Sequence, residues 1–258
     1  MTGVQTCALP ILDGRKLLPT FHPRSVIGRE GMYLWRYPML WDLKRAGEQS
    51  HFPEIREQAA DLRISPSFEN VCDWLDALTG VPIVDFDIEV LRLEVSCIAM
   101  GYGTTVMSIP FVDHNGDYWN PEQEIVIWKK IARILEDPSI QKRGQNCIAF
   151  DAPFLHARHG ICTVNMRDTM VAQGVLFPEL PKGLDFLCSV YSDIPYYKDE
   201  GKLWNRLEHS FDQHWLYNAK DSLATSIVHP NIEEQLIKQG NYEDRKSTRL
   251  NSSHGKLS

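Results

Sequence analysis

Asp87 and Glu89 stand two residues apart at the far end of an apolar run, Val81-Pro82-Ile83-Val84-Asp85-Phe86-Asp87-Ile88-Glu89. Residues i and i+2 of a strand share a face, so the two carboxylates sit side by side at one edge of a sheet. A shared proton or a cation relieves their repulsion, and hard carboxylate oxygens suit Mg2+ or Mn2+. Two readings follow: a divalent-cation site, or a strand end that dips into solvent. A third carboxylate, Asp151, closes the run Asn146-Cys147-Ile148-Ala149-Phe150. Residues 145–150 read as a short strand that delivers Asp151 as the earlier strand delivers Asp87. A helix from Ala152 would then aim its first N–H groups toward the same place. Tyr217 and Asp221 lie four apart in a helical stretch and project from one face, which brings a phenol and a carboxylate together.

The elements that must position these groups begin with a helix capped by Ser67, running through Val71, Trp74, Leu75 and Leu78 and ending at Thr79-Gly80. The carboxylate strand comes next. Residues 93–100 and 104–111 are two further β-rich runs around Gly101-Tyr102-Gly103, an antiparallel meander with a glycine turn. Asp113-His114-Asn115-Gly116-Asp117 has the wrong ligand spacing for a calcium loop and reads as a polar turn. Residues 121–135 form an amphipathic helix with Ile125, Trp128, Ile131 and Leu135 on one face. Strands first and strands alternating with helices afterwards describe a mixed α/β sheet.

The net charge of −7 argues against a broad basic groove that grips nucleic acid through phosphates alone. A site that holds its own cations works at that balance. The six cysteines occur singly, without a Cys-x-x-Cys pair, and read as buried thiols of a reducing cytoplasm. No apolar run reaches the roughly 18 residues that span a bilayer, and the N-terminus lacks a basic leader region. A cytoplasmic, monomeric protein with no membrane partner is expected.

Asp87-x-Glu89, then Asn146 with Phe150-Asp151, then Tyr217-x-x-x-Asp221 closely resemble the three motifs of the DnaQ-like (DEDDy) 3'-5' exonucleases. Asp168-Thr169-Met170, the run from Pro178 to Leu187 and Tyr196-Tyr197-Lys198-Asp199-Glu200-Gly201-Lys202 are similar to the proofreading domain of phage-type family A DNA polymerases. The resemblance implies a ribonuclease H-like (DnaQ-like) mixed sheet flanked by helices. It implies two Mg2+ or Mn2+ ions held by Asp87, Glu89, Asp151 and Asp221, with Asp87 as the bridge and Tyr217 orienting the attacking water. The other subclass places a histidine where this sequence has Leu216, so His209 and His214 read as ordinary histidines. Asn146, Phe154 and Leu155 are the candidate substrate-binding residues, with capping or core packing as their plainer alternative. Val90 replaces a threonine usual after the glutamate. Asp85 makes a two-residue register slip conceivable; the Phe86 and Ile88 pattern favours Asp87-x-Glu89. The implied partners are a single-stranded DNA 3' end and a polymerase domain in cis. A free-standing DNA or RNA exonuclease and a noncatalytic nucleic-acid-binding platform are the alternatives.

Residues 16–21, His22-Pro23-Arg24-Ser25 and Trp41-Asp42-Leu43-Lys44 resemble the C-terminal end of a family 4-like uracil-DNA glycosylase; the plainer reading is a strand, a turn and a helix at about residues 37–46. Met1 to Ile11 can be encoded so that the reverse complement translates to Asp244 to His254 without a mismatch, and both ends resemble translated sequencing adaptor. The expected organisation is adaptor-derived residues 1–11, a glycosylase-like remnant at 12–46 and a linker at 47–64. The exonuclease domain follows at 65–231, then the start of a downstream polymerase region at 232–243 and adaptor-derived residues 244–258. On this division Trp35, Leu40 and Trp41 lack their packing partner, and trimming to residues 47–243 should improve solubility.

Overall fold

The computed structural model of the chain describes residues 11–12, 15–27, 33–54, 59–194, 197–205 and 208–240. Cys7, Tyr196 and all of the adaptor-like ends except Ile11 lie outside these residues, as does the last part of the expected 232–243 region. Among the described residues no helix is long and apolar enough to cross a membrane.

Six strands form the central sheet: β1 (Asp61–Arg63), β2 (Ile83–Leu91), β3 (Glu94–Tyr102), β4 (Thr105–Pro110), β5 (Gln141–Gly144) and β6 (Met166–Asp168). Their order is β6-β5-β2-β3-β4-β1. β2, β3 and β4 make the expected antiparallel meander, while β5, β6 and β1 join in parallel. Gly103, at φ 63°, supplies the left-handed turn between β3 and β4. β1 is a correction to the expected linker at 47–64, because that segment ends as an edge strand of the same sheet.

The helices that flank the sheet and frame the site are α1 (Arg36–Gln49), α2 (Phe68–Leu78), α3 (Pro121–Leu135), α4 (Asp151–His159), α5 (Thr169–Leu176), α6 (Leu184–Tyr191), α7 (Lys198–Leu203) and α8 (Phe211–Lys238). Ser67 caps α2 as expected, its side chain accepting from the Asn70 N–H. Asn120 and Gln123 close a capping box on α3.

Strand alternation decides what each sheet face meets. Phe86, Ile88, Ile98, Met100, Met107 and Ile109 point to one side, against Val71, Leu75 and Leu78 of α2 and Ile127, Ile131, Ile134 and Leu135 of α3. The apolar face of α3 therefore differs from the expected one, since Ile125 is exposed and Trp128 is only partly buried, stacked on Phe111. On the other side Cys97, Ala99 and Val106 meet Phe211, Trp215, Ala219 and Leu223 of α8. The alternation that buries Phe86 and Ile88 under α2 and α3 turns Asp85, Asp87 and Glu89 toward α8.

Four further expectations change. Residues 145–150 are a turn, not a strand: Gly144 packs so closely that an added Cβ would lie 2.5 Å from Cys147 Cβ, and Asn146 takes φ 59°. The expected strand at 16–21 reduces to Arg15–Lys16 paired with Ile11–Leu12, and Phe21 stacks on Trp35 at 4.8 Å. α8 runs from Phe211 to Lys238 through Pro230, without a break at the expected 231/232 boundary. Of the cysteines, Cys97, Cys147 and Cys188 are buried as expected, but Cys72 is half-buried and Cys162 is exposed.

Candidate active site

α8 lies across the acidic face of β2, and its Asn218 holds the first carboxylate. Asn218 Nδ2 donates to Asp87 Oδ2 at 2.9 Å and to Asp87 O at 3.1 Å, while its Oδ1 accepts from Ser108 Oγ at 2.9 Å. One turn along, Asp221 brings an oxygen to Asp87 and Glu89, and one ligand atom from each of the three lies within 4.8 Å of the others. Asp85 stays out of this cluster. Arg143 of β5 grips it with two bonds, Nε to Oδ1 at 2.7 Å and Nη2 to Oδ2 at 2.6 Å, so Asp87 and Glu89 are the acids of β2 that cluster with Asp221.

Asp151 arrives by a different route from the expected strand. The 145–150 turn is drawn in by Asp168, whose Oδ1 accepts from Asn146 N at 3.0 Å and Oδ2 from Ile148 N at 3.1 Å. The same carboxylate caps α5 through Met170 N at 2.8 Å. The turn places Asp151 at the start of α4, buried, with Oδ1 accepting the Ile88 N–H at 3.0 Å between the two acids of β2. From the sequence Asp168 has no role assigned at the site beyond its place in the motif resemblance. Its signal was an Asp directly before a helix, the pattern of an N-cap.

Burial and mutual repulsion shift the protonation of three of these acids, Asp87, Glu89 and Asp151. Burial drives the Asp87 carboxyl well above the usual range, and repulsion from Asp221, Asp151 and Glu89 adds to it. Glu89 moves from an ordinary 4.5 to about 7, first through burial, then through Asp221 against the Lys198 ammonium. Asp151 moves from 3.8 to about 7 through burial, opposed by the N–H bonds it accepts. A divalent cation held by these carboxylates would reverse this balance, because it would favour the ionised forms that burial and mutual repulsion disfavour. The donors are all hard oxygens, so Mg2+ or Mn2+ fits the set.

Tyr217 projects beside Asp221 as expected. Its phenol accepts from Lys198 Nζ at 2.9 Å, and burial, with Asp221, raises its titration. Tyr197 Oη donates to Asp221 Oδ1 at 2.7 Å, and Lys198 Nζ to Asp221 Oδ2 at 2.5 Å. Asn218, Tyr197 and Lys198 had no role assigned from sequence. The first is visible only once α8 is laid on β2, because Asn218 is 131 residues from Asp87.

The three expected substrate-binding residues divide. Leu155 is fully buried in the α2 and α3 core, where its side chain fills apolar volume out of reach of a substrate. Phe154 is partly buried with its ring 6.0 Å from that of the exposed Phe150. Asn146 is half-buried in the turn ahead of Asp151. His214 is an ordinary core histidine, bonded to Ser96 Oγ at 2.9 Å, stacked on Trp204 and lowered to about 4 by burial.

A mixed six-stranded sheet flanked by helices, with carboxylates from its central strand meeting Asp221 of a crossing helix, has the ribonuclease H-like architecture. Residues 64–237 match the family described as 3'-5' exonuclease, and the chain belongs to that family. No curated protein matches the sequence. Among solved structures, NrnC of Brucella melitensis bound to pGG superposes with TM-score 0.55 at 19% identity, covering 74% of this chain and 88% of that one. The catalytic core of RRP6 from Trypanosoma brucei gives TM-score 0.60 at 14% identity, covering 76% and 55%. Escherichia coli RNase D gives 0.56 at 16%, covering 75% and 49%, so the chain spans about half the length of the last two.

Proposed function

We propose that the protein is a proofreading-type exonuclease that removes nucleotides from the 3' end of single-stranded DNA by two-metal-ion phosphodiester hydrolysis. The observation that carries the reading is the convergence of Asp87, Glu89 and Asp221 within 4.8 Å, with Asp151 bonded between the first two. Mg2+ or Mn2+ ions bound there would supply charge relief on the scissile phosphate and lower the pKa of a water, the two demands of phosphodiester hydrolysis. The chain's own residues do the rest. Asn218 fixes the Asp87 carboxylate, Asp168 sets the turn that presents Asp151, and the Tyr217 phenol orients the attacking water. The 3' end would arrive as a frayed strand from a duplex, with a polymerase in cis as the partner implied by the motifs.

RNA is the second reading. It is favoured by the fold neighbour RNase D, which is described as an exoribonuclease involved in structured RNA processing. The experiment is a ladder assay on DNA and RNA of one sequence, with Mg2+ and with EDTA, beside Asp151→Ala. Stepwise, metal-dependent loss from the 3' end of DNA, faster than from RNA and absent in the variant, supports the proposal. Faster loss from RNA moves the reading to an exoribonuclease. A folded protein that binds nucleic acid and cuts neither is a noncatalytic platform.

A further inference from the structure

We propose that Lys198 is a positioning residue of this site: it holds Tyr217 and Asp221 in register and keeps a fixed positive charge where a divalent cation would use Asp221. Its ammonium donates to Tyr217 Oη at 2.9 Å and to Asp221 Oδ2 at 2.5 Å. Tyr197 takes the other oxygen, Oδ1, at 2.7 Å, so both oxygens of Asp221 are engaged by this one segment. The effect on rate rests on the exonuclease reading; the effect on cation binding does not.

The segment that carries Lys198 is built to stay in place. Lys220 of α8 reaches both Glu200 oxygens of α7, at 2.8 and 2.6 Å. Gly201 lies flat against the Tyr217 ring, where an added Cβ would come within 2.5 to 2.9 Å of three ring carbons. Such distances are below any real contact, so this approach requires glycine and fixes how far α7 stands from Tyr217. The Lys198 side chain is 16% exposed, and its charge is felt by Asp87 and Glu89 as well as by Asp221. A cation ligated by Asp221 Oδ2 must share that oxygen with this ammonium or displace it. The lysine thereby weakens cation binding on that side while it fixes the phenol beside it.

The test compares Lys198→Met, Lys198→Gln and Lys198→Arg by Mn2+ titration calorimetry without substrate, and by rate on 3'-labelled single-stranded DNA at saturating Mn2+. Loss of the charge in the Met and Gln variants is expected to tighten Mn2+ binding about tenfold, while Arg stays near wild type. The same Met variant should turn over about tenfold more slowly at little change in KM, and should lose clearly less than that in a Tyr217→Phe background, where the part carried through the phenol is already gone. Wild-type Mn2+ affinity in folded Met and Gln variants overturns the proposal, and so does a rate loss that adds in full to that of Tyr217→Phe. If Met does not fold by circular dichroism, the Gln and Arg pair decides; if none of the three folds, Lys198 serves the fold and the proposal fails. A wild-type protein that cuts nothing removes the exonuclease reading, and the Mn2+ comparison still decides the role of Lys198.

Discussion

Asn218 shows how much one amide can hold. It spends its oxygen on Ser108 and its nitrogen on Asp87, so the acid most exposed to repulsion has a fixed rotamer. Asn218→Ala leaves a buried hydroxyl and a carboxylate short of partners, and should lower stability by about 1 to 3 kcal/mol in urea melts. It should also weaken Mn2+ binding, since Asp87 is then free to turn. The protonation of the acids gives a second prediction. Glu89 and Asp151 ionise near 7 in the folded chain, against ordinary values of 4.5 and 3.8. The folded state therefore holds more protons than the unfolded chain between those values, and stability falls as pH rises through that window. In EDTA the melting temperature should drop from pH 5 to pH 8 on account of these two groups. Mg2+ should raise it more at pH 8 than at pH 5, because ligation requires the ionised acids. A melting temperature in EDTA that is unchanged by Glu89→Gln at both pH values would remove Glu89 from this account.

α1 is the element whose place sequence reasoning misjudged. Trp41 and Tyr37 do not wait for an absent partner: their rings meet Phe177 at 5.4 and 5.2 Å, and Trp41 also meets Tyr191 at 6.0 Å. Arg45 donates to Ser189 O at 2.6 Å, Val190 O at 3.2 Å and Ser192 O at 3.0 Å, closing the C-terminal end of α6 with a cation where the helix presents unpaired carbonyls. Trimming to residue 47 would uncover Phe177 and Tyr191 and release those carbonyls. The trimmed protein is therefore expected to be less soluble and less heat-stable than the full chain, the reverse of the expectation from sequence. Arg45→Ala alone should cost about 2 kcal/mol in urea melts, on the scale of charge-assisted hydrogen bonds.

For the whole molecule, the net charge of −7 argues against a broad phosphate grip, so on the proposed function strand binding would rest on the cation site and on local contacts. The logarithm of single-strand affinity should fall with the logarithm of salt at a slope of about −1 to −3, corresponding to a few phosphates neutralised. Fluorescence anisotropy on a labelled oligonucleotide in Ca2+, from low to moderate salt, measures it. A much steeper slope would mean an extended basic track that the composition argues against.

The sequence by itself determined the acidic face. Alternation along Ile83 to Glu89 places Asp87 and Glu89 together whatever surrounds them, and helical spacing does the same for Tyr217 and Asp221. Ser67 as a cap and the three-stranded meander are local in the same sense, set by residues a few positions apart. The tertiary structure decided everything that depends on distant segments meeting. Asp85 is a structural ion pair only because β5 lies beside β2, and Asp151 reaches the site through a turn held by Asp168, not along a strand. Residue 231 and the polar stretch after residue 47 looked like boundaries, because a local reading sees the end of the matching motifs at the first and a charged run at the second. Packing of Val228, Ile232 and Leu236 against α5 and α6 carries the helix through the first, and edge pairing with β4 makes a strand at the end of the second. Lys198 is reached last, since its two partners lie 19 and 23 residues away and meet it only when α7 folds back on α8.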